Sequence, residues 1–70
     1  MQRSSVVSSN LRSIGYDESS MTLEVEFNHG GIYQYSSVPQ SIYSLMSADS
    51  HGSYFDAHVK KAGYSYRKVG

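Results

Sequence analysis

Two groups of side chains in this sequence have types and spacing suited to chemistry. Near the C-terminus, Lys60, Lys61, Arg67 and Lys68 are interleaved with Tyr64 and Tyr66. Cations neutralise phosphate and neighbouring rings stack on unpaired bases, so this segment is the candidate nucleic-acid contact. Its bland counterpart is a solvated charged face, and Lys60 and Lys61 have a sufficient structural reason as cations at a helix C-terminus. The second group is Tyr33-Gln34-Tyr35. An aromatic pair two apart on a strand is the spacing with which RNA-recognition sheets stack bases, and it is equally the spacing of two core residues on one strand face.

Other chemistries find no support. His51 and His58 are placed to share one side of a helix, but no third ligand accompanies them and neither has Asp or Glu three or four residues on, so surface histidines are expected. His29 falls in a glycine turn. No Gly-x-Ser-x-Gly elbow or glycine-rich phosphate loop is present, and Gly30-Gly31 reads as a hairpin turn. Glu24 and Glu26 are expected together on an exposed sheet face, without the burial that raises a carboxyl pKa for acid catalysis. No enzyme, metal or cofactor is therefore expected.

Composition narrows the classes further. A chain of 70 residues has room for one layer of helix on one sheet. With no cysteine it has no disulfide staple, no thiolate and no need of an oxidising compartment, which makes the cytoplasm the expected location. The first ten residues contain only Val6-Val7 as an apolar run, which matches neither a secretory signal nor a membrane span. Net charge is zero but uneven: acids Asp17, Glu18, Glu24 and Glu26 dominate the first half, and the four C-terminal cations face only Asp49 and Asp56 in the second. Serines are numerous, yet the apolar residues between them keep a period, so the chain is not low-complexity.

The elements that position these groups follow from periodicity. Thr22-Leu23-Glu24-Val25-Glu26-Phe27 alternates without exception, the pattern of a strand with one buried face. Upstream, 11–16 reads as a strand with Ile14 and Tyr16 on one face, joined to the strand near 21–27 by Asp17-Glu18-Ser19-Ser20 as a hairpin turn. Residues 1–8 form a short edge strand over Arg3–Val7 or a frayed end. After Asn28-His29-Gly30-Gly31, a β-prone run near 32–37 closes a second hairpin. Pro39 suits the first turn of a helix over about 39–48, with Ile42, Tyr43, Leu45 and Met46 at helical spacing. Ser50 is the N-cap expected for a second helix over about 51–62, with Phe55, Val59 and Ala62 on one stripe and Gly63 as its left-handed stop. Tyr64 to Val69 is extended. The expected fold is one α+β domain over 1–70: a small antiparallel sheet, two short helices packed on one face, and an extended C-terminal segment.

The loop between the central strands decides what Tyr33 and Tyr35 do. An odd loop places them on the face of Leu23, Val25 and Phe27; an even loop, with Asn28 opposite Gly31, turns them toward Glu24 and Glu26. Neither arrangement suits a stacking platform, since one buries the rings and the other sets carboxylates beside them. Tyr33 and Tyr35 are accordingly expected to be structural, completing an apolar layer beneath Ile42, Leu45, Phe55 and Val59.

Gly30-Gly31-Ile32-Tyr33-Gln34-Tyr35, then Val38-Pro39, then Ser50-His51-Gly52-Ser53-Tyr54-Phe55 and Tyr64-Ser65-Tyr66-Arg67 resemble the KTSC-domain family, from about Ser9 to Arg67. Tyr33 and Tyr35 match its central Tyr-x-Tyr motif. Members of that family are domains of about this length, found alone in bacterial proteins and at the C-terminus of some lysyl-tRNA synthetases. The resemblance implies a non-catalytic binding domain with RNA, whether tRNA or single-stranded, as its partner, and the residues themselves make Lys60, Lys61, Tyr64, Tyr66, Arg67 and Lys68 the expected contact. The alternative is a protein-interaction module docking through an exposed strand edge or tyrosine-rich patch.

Overall fold

The alternating segment is β3 (Thr22–Phe27), and it lies at the centre of the sheet in a computed structural model. Residues 2–6, 8, 10–48 and 55–70 are described, with backbone only for 45–48. β3 pairs antiparallel with β2 (Leu11–Asp17) and with β4 (Ile32–Tyr35). β1 (Ser4–Ser5) pairs with β2, and β5 (Tyr66–Lys68) pairs with β4, so the order is β1-β2-β3-β4-β5. The C-terminal extended segment is thus an edge strand.

Turn chemistry sets both hairpins. The Asp17 carboxylate accepts the Ser19 N–H at 3.1 Å and the Ser19 and Ser20 hydroxyls at 2.7 and 3.0 Å, and these bonds hold its pKa below the usual range. Between β3 and β4 the loop is odd: Phe27 donates its N–H to the Gly31 carbonyl at 2.9 Å across Asn28, His29 and Gly30, and Gly30 takes the left-handed conformation at φ 105°. The register that follows sets Val25 opposite Tyr33 and Leu23 opposite Tyr35, on the core face.

That face is covered by two short helices. α1 (Gln40–Ala48) begins just after Pro39, and its Tyr43 ring stacks on Tyr16 of β2 at 5.3 Å. α2 (Asp56–Lys60) is wound as a π-helical turn, with the Lys61 N–H reaching the Asp56 carbonyl at 3.1 Å, and Gly63 follows at φ 86°. The Phe55 ring stands edge-on to Phe27 and Tyr35 at 5.6 and 5.4 Å, and Val59 is fully buried. Ser50 and the start of a helix at 51 lie outside the described residues, as does His51. Ala62 is exposed and does not continue the stripe of Phe55 and Val59, because the helix stops at Lys60.

Two core residues escape the simple periodicity. Leu11 is fully buried although alternation would set it opposite Ile14, because a register shift between Leu11 and Ser13 turns the strand by one residue. Val38, in the connection to α1, is also fully buried, and its N–H is tied to the Met21 carbonyl at 2.9 Å.

The second face of the sheet corrects the reading of the paired glutamates. Glu24 is buried, not exposed, with only 6% of its surface accessible. Arg3 lies over it as a hydrogen-bonded ion pair, Gln34 Nε2 donates to its other oxygen at 2.8 Å, and Arg3 Nε also donates to Ser13 Oγ at 2.9 Å. The chain reaches this position by lying directly across Gly15, where a Cβ would stand 2.5 Å from the Gln2 carbonyl oxygen. Burial alone pushes the Glu24 carboxyl up, but the bonds from Gln34 and Arg3 and the charge of Arg3 outweigh it and leave it below the usual carboxylate range. A carboxylate held ionised by a cation has no proton to donate, so it is no acid catalyst.

A candidate nucleic-acid interface

The register of β4 against β5 divides the basic C-terminal segment between two faces. Tyr66 lies opposite Tyr35 and Lys68 opposite Tyr33, on the core side of the sheet; Arg67 lies opposite Gln34, on the side of Glu24, and donates to Gln34 Oε1 at 3.4 Å. Lys61 is engaged with Asp56 at 3.4 Å. Tyr64 is half-buried and packs against the core. Of the six residues singled out in the sequence, Tyr66 and Lys68 therefore share the core side of the sheet by register, and Lys60 meets Tyr66 at one cleft. Among the described residues neither Lys60 nor Lys68 has an ion-pair partner.

Lys60 and Tyr66 meet at an open cleft of about 700 Å³ at the edge of the core. Its wall is aromatic. The Tyr66 ring, 63% exposed, leans on Tyr35 at 5.2 Å and on Tyr33 at 6.0 Å. Phe27 meets Tyr33 edge-on at 5.5 Å, and His29 stacks nearly parallel on Phe27 at 5.3 Å and 7°. Asn10, Asn28 and Lys60 complete the lining. A core of this size cannot cover every ring of the sheet, so the row of rings beyond the reach of α2 opens to water.

Tyr35 joins both regions. It is 5% exposed and packs under Phe55, yet it also lines the cleft. Burial, with smaller contributions from Tyr66 and Tyr33, pushes its hydroxyl pKa up, so it stays a hydrogen-bond donor at neutral pH. Tyr35 is thus buried in the core, whereas Tyr33 is half-buried and forms cleft wall as well.

Sequence reasoning missed Asn10, Phe27, Asn28 and His29 as cleft residues. The bonds that gather them are non-local: the Asn28 N–H donates to the Asn10 carbonyl at 2.9 Å, joining the start of β2 to the end of β3. Gly31 lets the rings close up, for a Cβ there would stand 3.0 Å from both the His29 and Tyr33 rings. The signal available in sequence was the Asn-His-Gly-Gly turn, which reads as loop chemistry alone. Together the cleft offers flat rings for a planar group, one cation for an anion, and amides for a polar edge. Among the described residues no cluster of His, Asp and Glu could hold a metal ion, and no helix is long and apolar enough to cross a membrane.

Comparison with known proteins agrees with this architecture. A family model described as KTSC domain matches residues 7–68. A protein of Stutzerimonas stutzeri strain A1501, itself uncharacterized, is 41% identical over 70 residues, covering 99% of each chain. The crystal structure of a KTSC domain protein from Yersinia pestis shares 40% identity and superposes with a TM-score of 0.89, over 99% of this chain and 97% of that one.

Proposed function

The chain belongs to the KTSC-domain family, and on that premise we propose that it is a non-catalytic, cytoplasmic domain that binds unpaired RNA in the aromatic cleft. One observation carries this reading: the exposed ring of Tyr66 and Lys60, which has no ion-pair partner among the described residues, line the same opening. A base stacks on an aromatic face whatever its identity, and a cation lining the same cleft takes the adjoining phosphate. The family's association with lysyl-tRNA synthetases points the same way. Arg67 and Lys61 have no part in this site, so the contact is narrower than the basic segment as a whole.

A protein-interaction role by strand addition has less to support it. The open edges are β1, of two residues, and β5, of three, and β5 carries Arg67 and Lys68. Short, charged edges are poor templates for a further strand. A lysate pull-down with and without nuclease separates the two readings, since a partner retained after nuclease is protein.

The direct test is fluorescence anisotropy with single-stranded RNA at low salt. Stacking contributes about 1–3 kcal/mol per base, so Tyr66→Ala should weaken binding by roughly tenfold or more with the fold intact. No binding at tens of micromolar wild-type protein sinks the proposal.

A further inference from the structure

The aromatic wall and Lys60 explain affinity without preference, because every base has a π-face and every nucleotide a phosphate. Two of the cleft's polar lining residues are different in kind. Asn10 and Asn28 are two side-chain amides from separate strand ends, and both line the cleft. Each is held by the same residue: the Ser8 hydroxyl donates to Asn10 Oδ1 at 3.0 Å, and Asn28 Nδ2 donates to the Ser8 carbonyl at 3.2 Å. These bonds use the carbonyl of one amide and the amino group of the other. Among the described residues the Asn10 NH₂ group and the Asn28 side-chain carbonyl then have no partner. A fixed donor and a fixed acceptor therefore stand at the rim of a cleft whose wall is built for a flat ring.

We propose that Asn10 and Asn28 read the hydrogen-bonding edge of the base that stacks in the cleft, making binding base-selective; this rests on the RNA reading above. A donor and an acceptor lining one cleft can meet the two complementary groups of a nucleobase edge, where an amino or imino N–H adjoins a ring nitrogen or carbonyl. Ser8 is a positioning residue. Its hydroxyl holds the Asn10 carbonyl back and so presents the NH₂ group, which otherwise rotates freely between donor and acceptor. Selectivity arises because a mismatched edge sets donor against donor, or acceptor against acceptor, and leaves both without the water they had.

Hexa-adenylate, hexacytidylate and hexauridylate are the probes, each titrated into the full chain by anisotropy at one salt concentration. Wild-type protein should separate its best and worst hexamer by roughly tenfold, the scale of one good paired base contact. Asn28→Ala and Asn10→Ala should bring the three affinities together while Tyr66→Ala lowers all three alike. Ser8→Ala should narrow the spread without lowering the mean affinity. The ratio between hexamers is independent of the folded fraction, because partial unfolding scales the three apparent affinities equally. Hexamers bound equally by wild type, or a spread that survives in both asparagine variants, overturns base reading and leaves RNA binding standing. Failure of every hexamer to bind overturns both.

Discussion

Tyr66 lies directly opposite Tyr35 across the β4–β5 pair with their rings 5.2 Å apart, yet Tyr35 is 5% exposed and Tyr66 is 63% exposed. The two halves of one cross-strand pair thus separate stability from surface chemistry. Truncating a buried aromatic costs about 3–5 kcal/mol, which approaches the whole stability of so small a domain. Tyr35→Ala should abolish cooperative thermal melting, and Tyr66→Ala should melt within a few degrees of wild type. Equal losses in the two variants would contradict the assignment.

Gly15 should tolerate no side chain. Its absent Cβ makes room for the Gln2 carbonyl and the Arg3 stem, and the buried Glu24 depends on that approach for its cation. Gly15→Ala should destabilise the fold by about 1–3 kcal/mol in urea denaturation, the usual range for forced overpacking. Replacing Gly30, where a Cβ meets nothing, should cost less through φ alone.

Acid should weaken the domain through Glu24. Its pKa in the fold is lowered, so its contribution is present above the ordinary glutamate range and is lost as pH falls through the lower, folded value. Melting temperature should therefore decline as pH drops below about 4.3, the ordinary glutamate value. Glu24→Gln should be less stable than wild type at pH 7 and show a shallower decline in that acid window.

Gly31→Ala should separate ring geometry from stability in the opposite sense to Gly15. The new methyl meets the edges of His29 and Tyr33, and the exposed His29 gives way by leaving its stack on Phe27 and its bond from the Gly31 N–H at 3.4 Å. Melting should change little, while RNA affinity should fall as the His29–Phe27 stack is broken.

Salt dependence should distinguish the cations. Each phosphate neutralised on a single strand contributes about 0.7 to the slope of log affinity against log salt. Lys60→Ala should reduce that slope by about 0.7, the contribution of one phosphate. Arg67→Ala and Lys61→Ala should leave it unchanged, since one lies on the far face and the other is paired with Asp56.

Local pattern determined much of this molecule. Strict alternation in β3, the Asp17 turn and the Pro39 start of α1 each depend on residues within a few positions, so they were legible along the chain. The α+β class followed from their order, and the family likeness from short motifs such as Tyr33-Gln34-Tyr35 and Val38-Pro39. Tertiary structure decided the rest, and the reason is that it depends on register and on contacts between distant strands. One odd loop set both tyrosines of β4 on the core face, one bulge brought Leu11 inward, and a chain laid over Gly15 turned Glu24 from a surface acid into a buried ion pair. The same antiparallel pairing sent Arg67 to the far side of the sheet and brought Tyr66 to a cleft whose other residues, Asn10, Asn28 and Lys60, lie far apart in sequence. Periodicity reports which face a residue shares with its own strand, and only pairing reports which residues of other strands share it too.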